Sequence, residues 1–129
     1  MTASKNLSEL FRWFLFAGYA ILLYIVCTLP AEQIPAVVIR ANDKVLHFLS
    51  FFLLTLLGFR AFSRSSYEMF YQYGEGKAVC FSLFYGPFIE WAQRSVPGRE
   101  MSFMDVTADS LGTLLAFLIF RFSRRFSFD

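Results

Sequence analysis

Four long apolar stretches recur along the chain, separated by short polar segments. The first, residues 13–29, holds no charge and is extended by Phe11 and Arg12. At about 1.5 Å per residue it approaches a hydrocarbon core of roughly 30 Å. It exceeds the usual signal-peptide core of about 7–15 residues and is followed by no A-x-A site, so a retained membrane helix is expected. The second stretch starts at Val45 and runs to Phe62, broken before Arg60 only by His47, Ser50 and Thr55. Asn42 or Asp43 is a natural N-cap for it. After a polar, glycine-containing segment at residues 63–77, the third stretch covers 78–92 and carries Pro87 and Glu90. Val96-Pro97-Gly98 then places Pro and Gly at the second and third positions of a type II turn. The fourth stretch, 104–120, carries Asp105 and Asp109 in its first half. Period-two alternation is absent, which excludes membrane β-strands. The pattern predicts an all-α bundle of four transmembrane helices at about 11–29, 45–62, 78–93 and 104–121, in one domain spanning residues 1–129. Pro87 is tolerable in a membrane helix and is expected to kink it near Glu90.

Composition supports the bilayer. Of 129 residues, 57% are hydrophobic and 17% charged, against about 45–50% and 25% in soluble domains. Mean hydropathy is +0.50, and a chain of this size has too little interior to hide 18 Phe. Disordered chains, disulfide scaffolds and most soluble folds are excluded. A net charge of +2 gives no ground for a nucleic-acid partner. Cys27 and Cys80 stand alone in apolar runs, with no CxxC motif and no His/Cys cluster, so they read as buried thiols rather than a metal or redox site.

The basic residues orient the chain. Lys5, Arg12, Arg60, Arg64, Lys77, Arg121, Arg124 and Arg125 fall on one side of a four-pass arrangement, and Arg40, Lys44, Arg94 and Arg99 on the other. Cytoplasmic loops collect Lys and Arg, so both termini are expected in the cytoplasm. If the first set marks the inner interface, His47, Glu90, Asp105 and Asp109 all lie about 18–24 Å above it, at 1.5 Å per residue. Three helices thus bring ionisable groups to one level. Asp43 and His47 are spaced i, i+4, Glu90 and Gln93 i, i+3, and Asp105, Asp109 and Gly112 share one face. Gly112 suits close helix approach. Ionisable groups at membrane depth cost at least about 2.5–3.5 kcal/mol and normally face the interior, where they find partners.

Asp43-Lys44-Val45-Leu46-His47 resembles the D-K-x-x-H signature of the VanZ-like family. The run Gly86, Glu90, Gln93, Pro97-Gly98-Arg99, Ser102, Asp105 and Gly112 is similar to the remainder of that family's pattern, in order and spacing. One departure is Asp109, where the family often has Asn; an ionised Asp accepts hydrogen bonds but cannot donate them. The resemblance implies a small multipass protein of the bacterial cytoplasmic membrane, from a family whose namesake is associated with tolerance of the glycopeptide teicoplanin. It supplies no reaction.

The candidate pocket is therefore Asp43, Lys44, His47, Glu90, Gln93, Arg99, Ser102, Asp105 and Asp109. One reading is an outward-facing site that binds or modifies an envelope lipid or cell-wall precursor. In it Arg99, Lys44 and Arg94 hold an anionic head group, His47 shuttles a proton and Glu90 is a candidate general acid or base. No nucleophile motif or glycine-rich phosphate loop is present, which leaves the question of catalysis open, and no cofactor is called for. A second reading is a scaffold whose charges only fix helix packing. A third is a subunit of a proton-coupled transporter, which at this size needs an oligomer. A metal site built from His47, Glu90 and Asp105 is the weakest reading, since a lone His among carboxylates is poor ground for one at the level of sequence.

Overall fold

The computed structural model describes residues 2–37 and 42–126; Arg40, one of the cations assigned to the outer side, lies outside them. The described elements are α1 (Thr2–Cys27), a 3-10 turn (Ala31–Gln33), α2 (Asp43–Ser63), α3 (Glu68–Tyr71), α4 (Gly74–Gln93) and α5 (Phe103–Phe126). Among the described residues there is no strand. Three helical stretches are long and apolar enough to cross a membrane: Ser4–Cys27, Asp43–Ser63 and Phe103–Arg124. The 20 residues of α4 reach about 30 Å, but Lys77, Ser82, Glu90 and Gln93 interrupt its apolar run.

Local chemistry sets the ends of these helices. The Asn42 side chain accepts the Lys44 N–H at 3.1 Å and caps α2. The Val96–Arg99 turn has Gly98 at φ 73° and an Arg99 N–H to Val96 carbonyl bond of 3.2 Å, both features of a type II turn. At the head of α5, Ser102 Oγ lies 3.4 Å from the Asp105 N–H, satisfying one of the donors that every helix start leaves free. The helices run further than their apolar stretches. α1 takes in the polar segment before Phe11, α4 begins at Gly74 and α5 continues to Phe126. Propensity does not account for the α4 extension, which opens with Gly74 and Gly76, both weak helix formers.

α2 is the hub. It packs most extensively on α5 and also contacts α4 and α1, while α4 contacts α5. Gly112 is where α5 meets α2. A Cβ there would stand 2.1 Å from the Phe48 carbonyl oxygen and 3.1 Å from the Phe52 nitrogen, so the two backbones touch with no side chain between them. One apolar core joins Phe16, Ala20 and Leu23 of α1 to Phe51, Leu54 and Ala61 of α2 and Ile89 of α4. A second joins Phe59, Ala78 and Ala116. Outside these cores, Phe14, Ile21, Phe84, Leu111 and Phe122 are exposed. Faces this apolar suit contact with lipid.

Two polar clusters brace the bundle. Thr55 Oγ1 donates to the Phe51 carbonyl at 2.8 Å and lies 3.0 Å from Ser82 Oγ and 3.2 Å from Thr113 Oγ1, linking α2, α4 and α5. At the end of the bundle that holds the α1 N-terminus, Glu9 Oε1 accepts from Ser65 Oγ at 2.7 Å and the Ser66 N–H at 2.9 Å. Beside it, Arg12 donates to the Arg64 carbonyl at 2.9 Å.

Candidate functional site

At the opposite end, the last turn of α1, the first turn of α2, the last turn of α4 and the first turn of α5 converge. The i, i+4 spacing of Asp43 and His47 on α2 points both toward α5, whose Asp105 and Asp109 face them one turn apart. Lys44 Nζ forms an ion pair with Asp105 Oδ1 and lies 3.6 Å from Asp43 Oδ2. His47 Nδ1 is 2.9 Å from Asp109 Oδ1. A carboxylate only accepts, so the ring hydrogen sits on Nδ1 and donates to Asp109. His47 Nε2 then faces Asp43 Oδ1 at 3.9 Å and Asp105 Oδ2 at 3.8 Å, both too long for hydrogen bonds.

From α4, Glu90 is fully buried, and its Oε2 accepts the Ser102 N–H at 2.9 Å. Its Oε1 has no hydrogen-bond partner. Asp109 Oδ2 also has none, and it lies against Gly86, where a Cβ would stand 2.9 Å away. The α1 terminus closes the ring. The Cys27 carbonyl, one of those left free where α1 ends, accepts from Gln93 Nε2 at 3.0 Å and from Arg99 Nη2 at 3.1 Å.

Two cavities open here. A polar one of about 360 Å³ is lined by Asp43, Lys44, His47, Gln93, Gly98, Arg99, Glu100, Ser102 and Asp105. A largely apolar one of about 510 Å³ is lined by Leu23, Val26, Cys27, Leu29, Ile34, Leu46 and Phe51, among others. Asp43, His47 and Arg99 line both.

Of the nine residues expected to form a pocket, seven line the polar cavity. Glu90 and Asp109 lie behind it, holding Ser102 and His47. Arg94 is exposed, lines neither cavity and forms no salt bridge among the described residues. Cys27 was readable only as a buried thiol; it is its backbone carbonyl that belongs to the site, and no side-chain pattern signals that. The hydroxyl cluster of Thr55, Ser82 and Thr113 did leave a trace, since each is a hydroxyl residue flanked by apolar or glycine neighbours within an apolar run.

Neither a curated relative nor a solved structure matches the chain. The family model described as VanZ/LLP1 matches residues 14–124, a span that takes in every residue of the site and most of the four long helices; the chain belongs to the VanZ/LLP1 family.

Proposed function

We propose that residues 1–129 form one domain that crosses the bacterial cytoplasmic membrane four times, with both termini in the cytoplasm. Its outward pocket binds an envelope lipid or cell-wall precursor, and through that ligand it contributes to glycopeptide tolerance of the teicoplanin type. The observation that carries this reading is the pair of neighbouring cavities, which share Asp43, His47 and Arg99. A polar chamber with Lys44 and Arg99 suits a charged head group, and the adjoining apolar chamber suits a hydrocarbon tail. An amphiphile is the class of molecule that needs both. The four-pass arrangement is supported by the ends of the bundle: Lys77, Arg60, Arg64 and Arg124 gather at the end opposite the pocket, as the distribution of basic residues in cytoplasmic loops requires.

Topology has a direct test. Cys27 and the exposed Cys80 are first replaced by Ser, and single cysteines are then placed at Ser95 and Tyr67, both exposed. An impermeant maleimide added to intact cells is expected to label position 95 and not position 67. The reverse pattern puts the pocket in the cytoplasm and ends the envelope-ligand reading.

Ligand binding is tested by native mass spectrometry of the full chain after incubation with a polyprenyl phosphate, a carrier lipid for envelope precursors. The unmodified protein is expected to retain the lipid. Arg99→Ala is expected to lose it at least tenfold while accumulating normally, and to lose any teicoplanin phenotype of the host. Stability is spared because Gln93 still donates to the Cys27 carbonyl, and a change at the rim leaves no apolar void. Equal retention by Arg99→Ala, or none by the unmodified protein, contradicts the proposal.

A further inference from the structure

The pocket presents a problem for an anionic ligand. Asp43 and Asp105 line it with two permanent cations, Lys44 and Arg99, while Glu90 and Asp109 stand behind the lining and exposed Glu100 adds another acid at the rim. Excess negative charge at membrane depth is costly, and a phosphate group would add to it.

We propose that Asp43, His47 and Asp105 bind a divalent metal ion, through His47 Nε2 and one oxygen of each carboxylate, and that the ion bridges the pocket to the head group of its ligand. The second half of this proposal rests on the ligand reading above; the first half stands without it. One potential ligand atom from each of the three residues lies within 4.8 Å of the other two. Donors at about 2.1 Å from a shared tetrahedral ion stand about 3.4 Å apart. The 3.8 and 3.9 Å separations at Nε2 therefore close with small side-chain rotations, and the exposed Asp43 is free to make them. Asp105 can serve Lys44 and the ion together, because Lys44 takes Oδ1 and leaves Oδ2.

The surroundings of His47 point the same way. His47 is only 8% exposed, yet its Nε2 has no hydrogen bond and lines the cavity. Its Nδ1–H is held by Asp109, the arrangement by which a carboxylate orients a metal-binding imidazole and sets its tautomer. A divalent ion also offsets carboxylates around the pocket, where Glu100 at the rim and Glu90 and Asp109 behind the lining exceed what Lys44 and Arg99 balance. One imidazole with two carboxylates suits Zn²⁺ or Mn²⁺ better than Ca²⁺, which prefers all-oxygen shells. Three protein donors leave coordination positions open toward the cavity, where a phosphate oxygen can enter.

The test uses the full chain in detergent micelles, stripped with a chelator and titrated calorimetrically with ZnCl₂ or MnCl₂ alone, with no lipid added. One saturable ion per chain is expected. Asp43→Asn should weaken it at least tenfold; this carboxylate is 61% exposed, so the variant keeps its fold. Glu32→Gln, an exposed acid on the nearby turn, should leave binding unchanged. With Mn²⁺, pulsed electron paramagnetic resonance should show an imidazole nitrogen coupled to the ion. Absence of saturable binding, affinity of Asp43→Asn within twofold of the unmodified chain, equal weakening by Glu32→Gln, or no nitrogen coupling each overturns the site. A separate arm measures polyprenyl phosphate retention with metal and with chelator. Ion binding without lipid retention under either condition contradicts the ligand reading and leaves the ion site standing. Equal retention in metal and chelator overturns the bridging role. Retention that depends on the metal supports both.

Discussion

Gly112→Ala is expected to lower the amount of folded protein in the membrane more than any other single methyl addition in the chain. The added Cβ would lie 2.1 Å from the Phe48 carbonyl oxygen and 3.0 Å from its carbonyl carbon. Both are backbone atoms of α2, so no rotamer change relieves the clash and the helices must separate. Overpacking in a well-packed interior typically costs about 1–3 kcal/mol, and more where backbone has to move. Separation here also loosens Lys44–Asp105 and His47–Asp109, both of which span the same helix pair. Fluorescence-detected size exclusion after heating should show a melting midpoint many degrees lower, or no monodisperse peak at all. Gly18→Ala is the control, since its Cβ would meet nothing within 4 Å. A Gly112→Ala protein that melts with the unmodified chain would mean that α2 and α5 do not meet at this residue.

The second large effect is expected at His47. Replacing it with Ala leaves Asp109, only 2% exposed, without its hydrogen-bond partner. Removing one member of a buried charged pair commonly costs about 3–5 kcal/mol, mostly from the stranded partner. His47→Ala should therefore deplete the protein from the membrane. Replacing buried pairs by apolar residues of similar size is often neutral or stabilising, so His47→Leu with Asp109→Leu should restore abundance without restoring ligand retention or phenotype. That outcome separates a site from a scaffold. A double variant that recovers both abundance and phenotype would show that these charges serve packing alone. Normal abundance of His47→Ala would show that Asp109 has no need of its partner.

The all-helical architecture was legible because apolar run length and missing alternation decide it without tertiary information. The level shared by His47, Glu90, Asp105 and Asp109 was legible too, since rise per residue converts spacing into depth. The division of labour among them was not. Glu90 and Arg94 are spaced for an ion pair, yet Glu90 turns inward to the Ser102 N–H and Arg94 stays outside. Spacing on one helix cannot say which neighbour lies across from it. Glu9 reads as an unremarkable acid before the first apolar run, and only the fold shows Ser65 and Ser66 seated on it. Asp43, His47 and Asp105 were legible as members of one pocket, but the close approach of one donor atom from each was not, because Asp105 lies on a different helix from the other two.

The hold on the Cys27 carbonyl bears on the order in which the protein is made. α1 leaves the ribosome before the other described helices, yet the two side chains that grip its last turn, Gln93 and Arg99, lie 66 and 72 residues further along the chain. Its other anchors, Arg64, Ser65 and Ser66, are also synthesised after it. Membrane helices insert first and associate afterwards. During translation α1 therefore waits with its Cys27 carbonyl unclaimed while α2, α4 and the turn after α4 are added. Arg99 lines both cavities, so a nascent chain halted before that residue has α1 in place and lacks a side chain the two chambers share.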